Sequence, residues 1–546
     1  MAKLSNTTTA LKPTTKKKGG TSPIQTKDHK RTTTADGMDT AALKSKSELF
    51  LTAVSTYAGE DTYYESGNAR LLRIRELVQK VTKKDPEWIE RFVPWLRGEA
   101  NIRTLSIIIA AEYVAAGGPN GRELIAKTLQ RADEPAEFLA YWMQNFYGWD
   151  GQSYPLPSPK LPQAVRKGLS DACAKLYNEY TLIKYDGNSR GVGMSEVLNL
   201  VHPTIRNYPK HWTEDRVQQQ MAIFKYIIDK EYGNAPDTEL LPLLTANLEV
   251  RKLDRDGVLA LTSDQLKDAG VTWEQMGGLL NGPWTAKAWE ALIPNMGYMA
   301  LLRNLRNFEA VGISKTYVKK VNEILADPER VAKSRQMPYR FFSAYKNVQS
   351  EKFLASLAEA LDYSCANIPE FDGRTLVLVD KSGSMDGTIS RGSNYGTGYS
   401  PHYWEIGALF GVAMWKKAED CDLAIFGDYS KIIKLPKGIS VLNGMKLLTP
   451  NNGVGHGTNI WGSVNDQFNG HDRVVIFTDM QSNVQHGRYR GTDGIPFIHA
   501  YNLAGYGGSG MPQGSGDSGR YQYGGFSDKS FMLMNLLEHM STGWPF

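Results

Sequence analysis

The chain is poor in features that would mark a secreted, membrane-spanning or uniformly basic protein. Its 546 residues hold three cysteines, Cys173, Cys365 and Cys421. They lie far apart, with no C-x-x-C spacing and no histidine pairing, which argues against a disulfide framework or a zinc site and favours a reducing compartment. No apolar run approaches the roughly 20 residues needed to cross a bilayer, and lysine and threonine stand where a signal peptide would carry its apolar core. A soluble, cytoplasmic protein with no membrane partner is expected. Net positive charge is also missing where a nucleic-acid binder would want it. Residues 1–47 carry ten Lys/Arg against three aspartates, but residues 48–370 carry 39 basic against 40 acidic side chains, and residues 371–546 carry 14 against 15. Any phosphate-binding surface in the body must therefore come from local clustering.

The length allows two or three domains. Residues 1–46, rich in Thr, Lys, Ser and Gly, cannot bury enough apolar surface to offset chain entropy, and are expected to be a disordered basic tail. From Glu48 to about Ile368 apolar residues recur at helical spacing, as in Leu71/Ile74/Leu77/Val78/Val81, Val165/Leu169/Cys173/Leu176 and Tyr298/Leu301/Leu302/Leu305/Phe308. Breakers at Gly117-Gly118-Pro119, Pro155 to Pro162 and Gly282-Pro283 divide the pattern into short units. Many short helices in series without heptads predict a stacked helical-hairpin solenoid over residues 47–369, although no clean sequence repeat is visible.

Near residue 371 the period changes. Thr375 to Val379 (TLVLV) reads as a buried parallel strand. A helix (Trp404 to Ala418), a strand (Asp422 to Phe426), a helical stretch near Leu442 and strands at Arg473 to Thr478 and Pro496 to Asn502 follow. The glycine-rich Gly505 to Gly525 is expected as a long loop before a last helix, Ser527 to His539. Alternating strands and helices predict a doubly wound α/β domain over residues 370–546.

The first strand runs straight into Asp380-Lys381-Ser382-Gly383-Ser384. Ligands of an open parallel sheet bind beyond the carboxyl ends of its strands, and a hard divalent cation such as Mg²⁺ wants oxygen ligands near octahedral geometry. One carboxylate and two hydroxyls at alternating positions suit that demand. Thr458, in Gly457-Thr458-Asn459, and Asp479, directly after VVIFT, add oxygens from two further loops. The plainer alternative is a strand end whose serines only cap backbone N–H groups. A phosphatase of the aspartyl-phosphate type also begins with strand-Asp, but needs a carboxylate two residues on. Ser382 stands there, which argues against catalysis.

This arrangement resembles the metal-ion-dependent adhesion site of von Willebrand A domains. The resemblance implies that Asp380, Ser382, Ser384, Thr458 and Asp479 hold Mg²⁺ or another divalent cation directly or through water, with one position left for a partner's acidic group. Upstream, Trp95 to Glu112 (WLRGEANIRTLSIIIAAE), Leu161 to Leu176 (LPQAVRKGLSDACAKL), Val197 to Pro203 (VLNLVHP), Trp289 to Ser314 (WEALIPNMGYMALLRNLRNFEAVGIS) and Met337 to Tyr345 (MPYRFFSAY) resemble the TROVE module of Ro proteins. Ala500 to Gly507 (AYNLAGYG) and Gly524 to Phe531 (GGFSDKSF) look like the closing strand and helix of the A-like domain in bacterial and phage members. The resemblance implies a multi-domain fold, an all-α ring of HEAT-like repeats closed by a doubly wound von Willebrand A-like domain.

It also implies a monomeric noncoding-RNA scaffold or chaperone in RNA quality control, with no catalysis. Y-type RNA would lie on the outer surface and the single-stranded 3′ ends of misfolded RNA in the ring, and an exoribonuclease or other protein could dock at the metal site. His202, in VLNLVHP, matches the position where a family histidine contacts RNA; the plainer reading is a helix-ending histidine stacked on Pro203. Arg166 and Lys167 sit off the apolar stripe of their helix and are candidates for phosphate contact or a solvated face. Lys160, Lys184 and Arg190 flank the same region, and Arg303 and Arg306 lie opposite another apolar stripe. Arg103 is expected to be structural, between repeats. The basic tail and the segment from Asp386 to Pro401 depart from the family pattern. The alternative class is a metal-dependent protein-interaction module whose helical repeats grip peptides, and a weaker third is a phosphotransfer enzyme.

Overall fold

The computed structural model of the chain describes residues 40–55, 67–148, 160–186, 191–204, 208–388, 399–449, 453–479, 494–504, 519–524, 530–538 and 544–546. Among them, every element before residue 371 is helical, from α1 (Thr40–Ser55) to α20 (Leu354–Ser364). Local sequence starts many of these helices. Asp85 caps α3 (Pro86–Gly98) by accepting from the Trp88 N–H at 3.1 Å, with Pro86 in the first turn where its missing N–H costs nothing. The first helix opens at Thr40, several residues inside the stretch expected as tail.

Packing partners are close in sequence: α4 (Arg103–Ala115) lies on α2 (Gly67–Lys84), α3 and α6 (Glu134–Phe146), and α5 (Gly121–Thr128) lies on α7 (Gln163–Leu176). Such nearest-neighbour contact defines a solenoid, and buried ion pairs rivet it. Arg97 pairs with Glu134 at 2.6 Å, while Arg103 reaches Asp133 at 3.0 Å and also Glu137. Arg103 is thus structural, as expected. Many large aromatics, including Trp88, Trp289, Tyr113 and Phe308, are core residues.

The second unit is a six-stranded sheet in the order β3-β2-β1-β4-β5-β6. Its strands are β1 (Phe371–Asp380), β2 (Ala418–Phe426), β3 (Ser430–Ile432), β4 (Arg473–Thr478), β5 (Phe497–Asn502) and β6 (Arg520–Gly524). All pairings are parallel except β2 with β3. The TLVLV run is buried on both faces. Leu376 and Leu378 pack with Val474, Ile476, Ile460 and Val464, whereas Val377 and Val379 join the large core with Ile406, Phe410 and Phe477. Helix α21 (Tyr403–Lys417) lies close on β1 because Gly411 faces it, and a Cβ there would meet Val379 Cγ2 at 2.7 Å.

Several expectations are corrected here. Residues 520–524, expected within a glycine-rich loop, form β6, because Tyr521 stacks on His499 at 5.2 Å and Tyr523 on Tyr501 at 4.5 Å. This aromatic ladder outweighs the flanking glycines. Strand β2 begins at Ala418, before the expected Asp422. The antiparallel edge β3 and the helix Ile460–Gln467 were not anticipated. The last helix is described over Phe531–Glu538, and its expected ends fall outside the described residues.

The two ends of the helical array are both held. At one end, α19 (Pro338–Asn347) packs on α21, and α20 packs on α22 (Val441–Leu448). Lys346 pairs with Glu405 at 2.8 Å and Lys416 with Asp362 at 3.1 Å across this junction. At the other, Trp544 and Phe546 sit among Phe50, Trp88, Phe92 and Trp95 of α1 and α3, with ring centroids 4.9–5.7 Å apart. Arg91 donates to the Phe546 carbonyl at 3.3 Å. The chain therefore closes on itself. Trp544→Ala and Phe546→Ala should each cost about 1–2 kcal/mol in urea unfolding, less than the ~3–5 of a fully buried aromatic because both rings are only half-buried. Hydrogen exchange in α1 and α3 should rise in step, and unchanged exchange there would show that these rings do not hold the closure.

Candidate metal centre and basic surface

The metal constellation forms where the sheet changes direction. From β1 the chain moves outward to β2 and β3, then returns to place β4 on the other side of β1. Register sets Val379 beside Phe477, so Asp380 and the Thr478-Asp479 pair end neighbouring strands at a topological switch point. Asp380 is fully buried. One of its oxygens accepts from the Ser382 N–H at 2.7 Å and the other from the Thr478 hydroxyl at 2.6 Å. Burial pushes its pKa up to about 7 against these bonds, and the charge of Asp479, also buried, adds to the rise.

The serine hydroxyls of Ser382 and Ser384 stand 3.2 Å apart, near the ~3.0 Å separating adjacent ligands of an octahedral cation with bonds of about 2.1 Å. The loop of Thr458 is joined to them through the Gly383 N–H, which donates to the His456 carbonyl at 3.0 Å. Thr458 itself is buried. Among the described residues no group of three or more His, Cys, Asp or Glu is placed to hold a metal. The donor set here has two buried carboxylates, Asp380 and Asp479, and three hydroxyls, an all-oxygen set that suits a hard divalent ion. Beside them, Lys381 lies with Nζ 4.4 Å from the Trp404 ring centroid, and burial lowers its pKa.

The basic candidates fall into two groups. His202 ends α9 (Met194–Val201) in a left-handed conformation, φ 46° and ψ 66°, and is exposed. Arg166, on α7, is exposed and Lys167 half-buried. The Ser170 hydroxyl lies 2.8 Å from the Arg166 carbonyl and 3.0 Å from the Val201 carbonyl, which holds the backbones beside His202 and Arg166 together. Lys160 is exposed, with its carbonyl accepting from Tyr147. Lys184, on α8 (Glu179–Tyr185), places Nζ over Tyr180 and Tyr185 at 5.9 and 5.4 Å. Arg190 lies outside the described residues. Arg303 and Arg306 are exposed on α16 (Tyr298–Val311), which packs with α17 (Lys315–Leu325), α18 (Pro328–Ser334) and α19 in a different part of the array.

Comparison with known proteins agrees with this architecture. The TROVE domain family matches residues 266–369. Over 91% of this chain and 99% of the other, the fold superposes on the crystal structure of the Ro (RSR) protein of Deinococcus radiodurans with a TM-score of 0.68 at 16% identity. Part of the chain thus resembles a TROVE domain, and the chain as a whole has the fold of that Ro protein. Telomerase protein component 1 of Mus musculus is 38% identical over 351 residues, 57% of this chain, and that of Rattus norvegicus 21% identical over 346 residues, 56% of it. This chain spans 13% of the length of each of those relatives. The fold is thus an all-α ring of HEAT-like repeats with a von Willebrand A-like α/β unit.

Thr478 is not among the predicted metal residues, yet its hydroxyl donates to one oxygen of Asp380. The signal for it was its place as the last residue of a buried strand. The raised pKa of Asp380 has a definite sign. Between the ordinary carboxylate value of ~3.9 and about 7, the folded chain keeps a proton that the unfolded chain releases, so metal-free stability falls as pH rises through that window. Thermal unfolding in EDTA should show this fall from pH 5 to about pH 7 and a levelling above it, relative to Asp380→Asn, which carries no charge. A difference between the two proteins that is flat in pH, or grows in favour of the wild type, would contradict it.

Proposed function

We propose that this protein binds noncoding RNA and serves as a scaffold or chaperone in RNA quality control, without chemistry of its own. The observation that carries the reading is a closed helical array whose arginines are divided in role. Arg97 of α3 and Arg103 of α4 are committed to ion pairs between helices. Among the described residues Arg166, Lys167 and Lys160 make no ion pair, and Ser170 joins the backbone at Arg166 to the helix end that carries His202. Neutral net charge over residues 48–370 is compatible with this reading, since a local cluster of cations outside such pairs can still hold phosphates.

Structured Y-type RNA would lie against the outer surface, held through phosphates by Arg166, Lys167, Lys160, Lys184, Arg303 and Arg306, with His202 adding a donor. An unpaired 3′ end would enter the ring, which excludes a duplex. Mg²⁺ at Asp380, Ser382, Ser384, Thr458 and Asp479 would supply a Lewis-acidic position for a partner's carboxylate or phosphate, as from an exoribonuclease. A cytoplasmic monomer fits this role, and no helix among the described residues is long and apolar enough to cross a membrane. The metal constellation also favours a second reading, a metal-dependent protein-interaction module on the same scaffold.

Fluorescence anisotropy with a stem-loop RNA bearing a single-stranded 3′ tail separates the two. Affinity should fall steeply from 50 to 200 mM salt, and the Arg166→Ala/Lys167→Ala/His202→Ala protein should lose about tenfold or more, with a log–log salt slope shallower by roughly 1.5–2. Asp380→Ala should abolish Mg²⁺ binding and leave most RNA affinity. Salt-independent binding would favour the peptide-gripping module, and an Asp380→Ala loss equal to that of the triple variant would overturn the division of labour.

A further inference from the structure

The loop that carries Thr458 is built around a carboxylate from a different strand end. Its sequence, Gly453-Val454-Gly455-His456-Gly457-Thr458, spaces glycines at every second position. Asp428 follows β2 and projects into this loop, where one oxygen accepts from the N–H groups of His456 and Gly457, each at 3.1 Å. The backbone on either side is pinned to the same place. The Tyr429 N–H donates to the Val454 carbonyl at 2.9 Å, the Asn459 N–H to the Gly427 carbonyl at 2.8 Å, and the Asn459 side-chain amide to the Asp428 carbonyl at 3.4 Å.

The glycines are what let the carboxylate in. A Cβ on Gly455, whose φ is +81°, would fall 2.1 Å from one Asp428 oxygen, and a Cβ on Gly457 would fall 2.0 Å from the other. The three atoms nearest the latter position all belong to Asp428. Gly457 has no left-handed backbone to maintain, so it is glycine because Asp428 occupies the space of its side chain. The loop in turn reaches the serine loop through the His456 carbonyl and the Gly383 N–H. An exposed carboxylate with no acid or base chemistry to perform is thus locked between two amides on one side of the constellation, and buried Thr458 follows the second amide directly.

We infer that Asp428 is a positioning residue for the metal centre: it sets the Thr458 loop in its ligating conformation in advance of the cation. The inference rests on the metal reading of Asp380, Ser382, Ser384, Thr458 and Asp479. Preorganisation is the physical content. A loop that must be ordered as the ion binds spends conformational entropy at that moment and lowers affinity, whereas a loop already bonded to Asp428 does not. Two charge-assisted bonds from backbone amides are the stronger kind and suffice to hold so short a segment.

The test is a double-mutant cycle on the full chain, read by calorimetric titration with MgCl₂ and by amide hydrogen exchange in EDTA. Asp428→Ala should weaken Mg²⁺ binding about tenfold, the scale of losing hydrogen bonds to a charged group, and Asp428→Asn should stay within about threefold because its amide oxygen still accepts from both N–H groups. Gly457→Ala should reproduce Asp428→Ala by expelling the carboxylate. The double variant Asp428→Ala/Gly457→Ala should lose no more than either single one, since the clash has then been removed. In EDTA, protection of the His456 and Gly457 amides should drop in Asp428→Ala while the thermal midpoint moves little. Wild-type protein that takes up no Mg²⁺ would overturn the metal reading itself. Wild-type uptake with equal affinity in Asp428→Ala, additive losses in the cycle, or unchanged amide protection would overturn the positioning role alone.

Discussion

A row of stacked helices has two free ends, and everything this molecule offers as a binder depends on those ends being held. Each helix pair touches chiefly its neighbours in sequence, so nothing inside the array defines how far apart its termini stand. That distance is set by attachments to the remainder of the chain. At one terminus Lys346 and Lys416 meet Glu405 and Asp362, and at the other Trp544 and Phe546 pack among four aromatic rings. The first junction is polar and the second apolar. Buried aromatic area supplies the greater cohesion, while the ion pairs between partly buried groups define register.

The polar junction also adjoins the metal constellation. Tyr399 stands at the far end of the segment that leaves the serine loop. Its N–H donates to Asn347 at 3.0 Å, its ring lies 4.7 Å from Lys346 Nζ, and its hydroxyl meets Glu405. Glu405 in turn opens α21, the helix packed most closely on β1, and accepts from the His402 N–H at 3.0 Å. His402 reaches back to the Asp386 carbonyl at 2.6 Å. A short chain of contacts therefore connects the residues beside Ser384 with helix α19 of the ring. His402 and Glu405 thus link the neighbourhood of the candidate cation site to the junction that seats the ring.

Much of the candidate site was legible because its parts are local. A buried strand announces itself by its apolar run, and the first polar residues after it mark the sheet edge where ligands gather. Asp380, Ser382 and Ser384 follow from TLVLV alone, and Asp479 follows from VVIFT in the same way. Thr458 was harder, lying in a loop with no strand before it, and Asp428 was not found, since its role depends on a contact with glycines nearly thirty residues away. The aromatic ladder that makes residues 520–524 a strand was hidden for a similar reason. Tyr521 and Tyr523 acquire their partners, His499 and Tyr501, only across the sheet. The basic surface was half-legible: helical periodicity put Arg166 off the apolar stripe, but could not say that its backbone would lie beside that of His202.

By itself, then, the order of residues determined the succession of helices, the change of period near residue 371 and the oxygen-bearing ends of the first and fourth strands. These are consequences of spacing along the chain, where a side chain's neighbours are set by 3.6-residue or two-residue repeats. Only the tertiary structure decided the closure of the ring by Trp544 and Phe546, the burial of Asp380 against Asp479, and which arginines are spent on acids and which face outward. Those depend on surfaces brought together across hundreds of residues, and pairing free energies at such distances leave no periodic mark in the sequence.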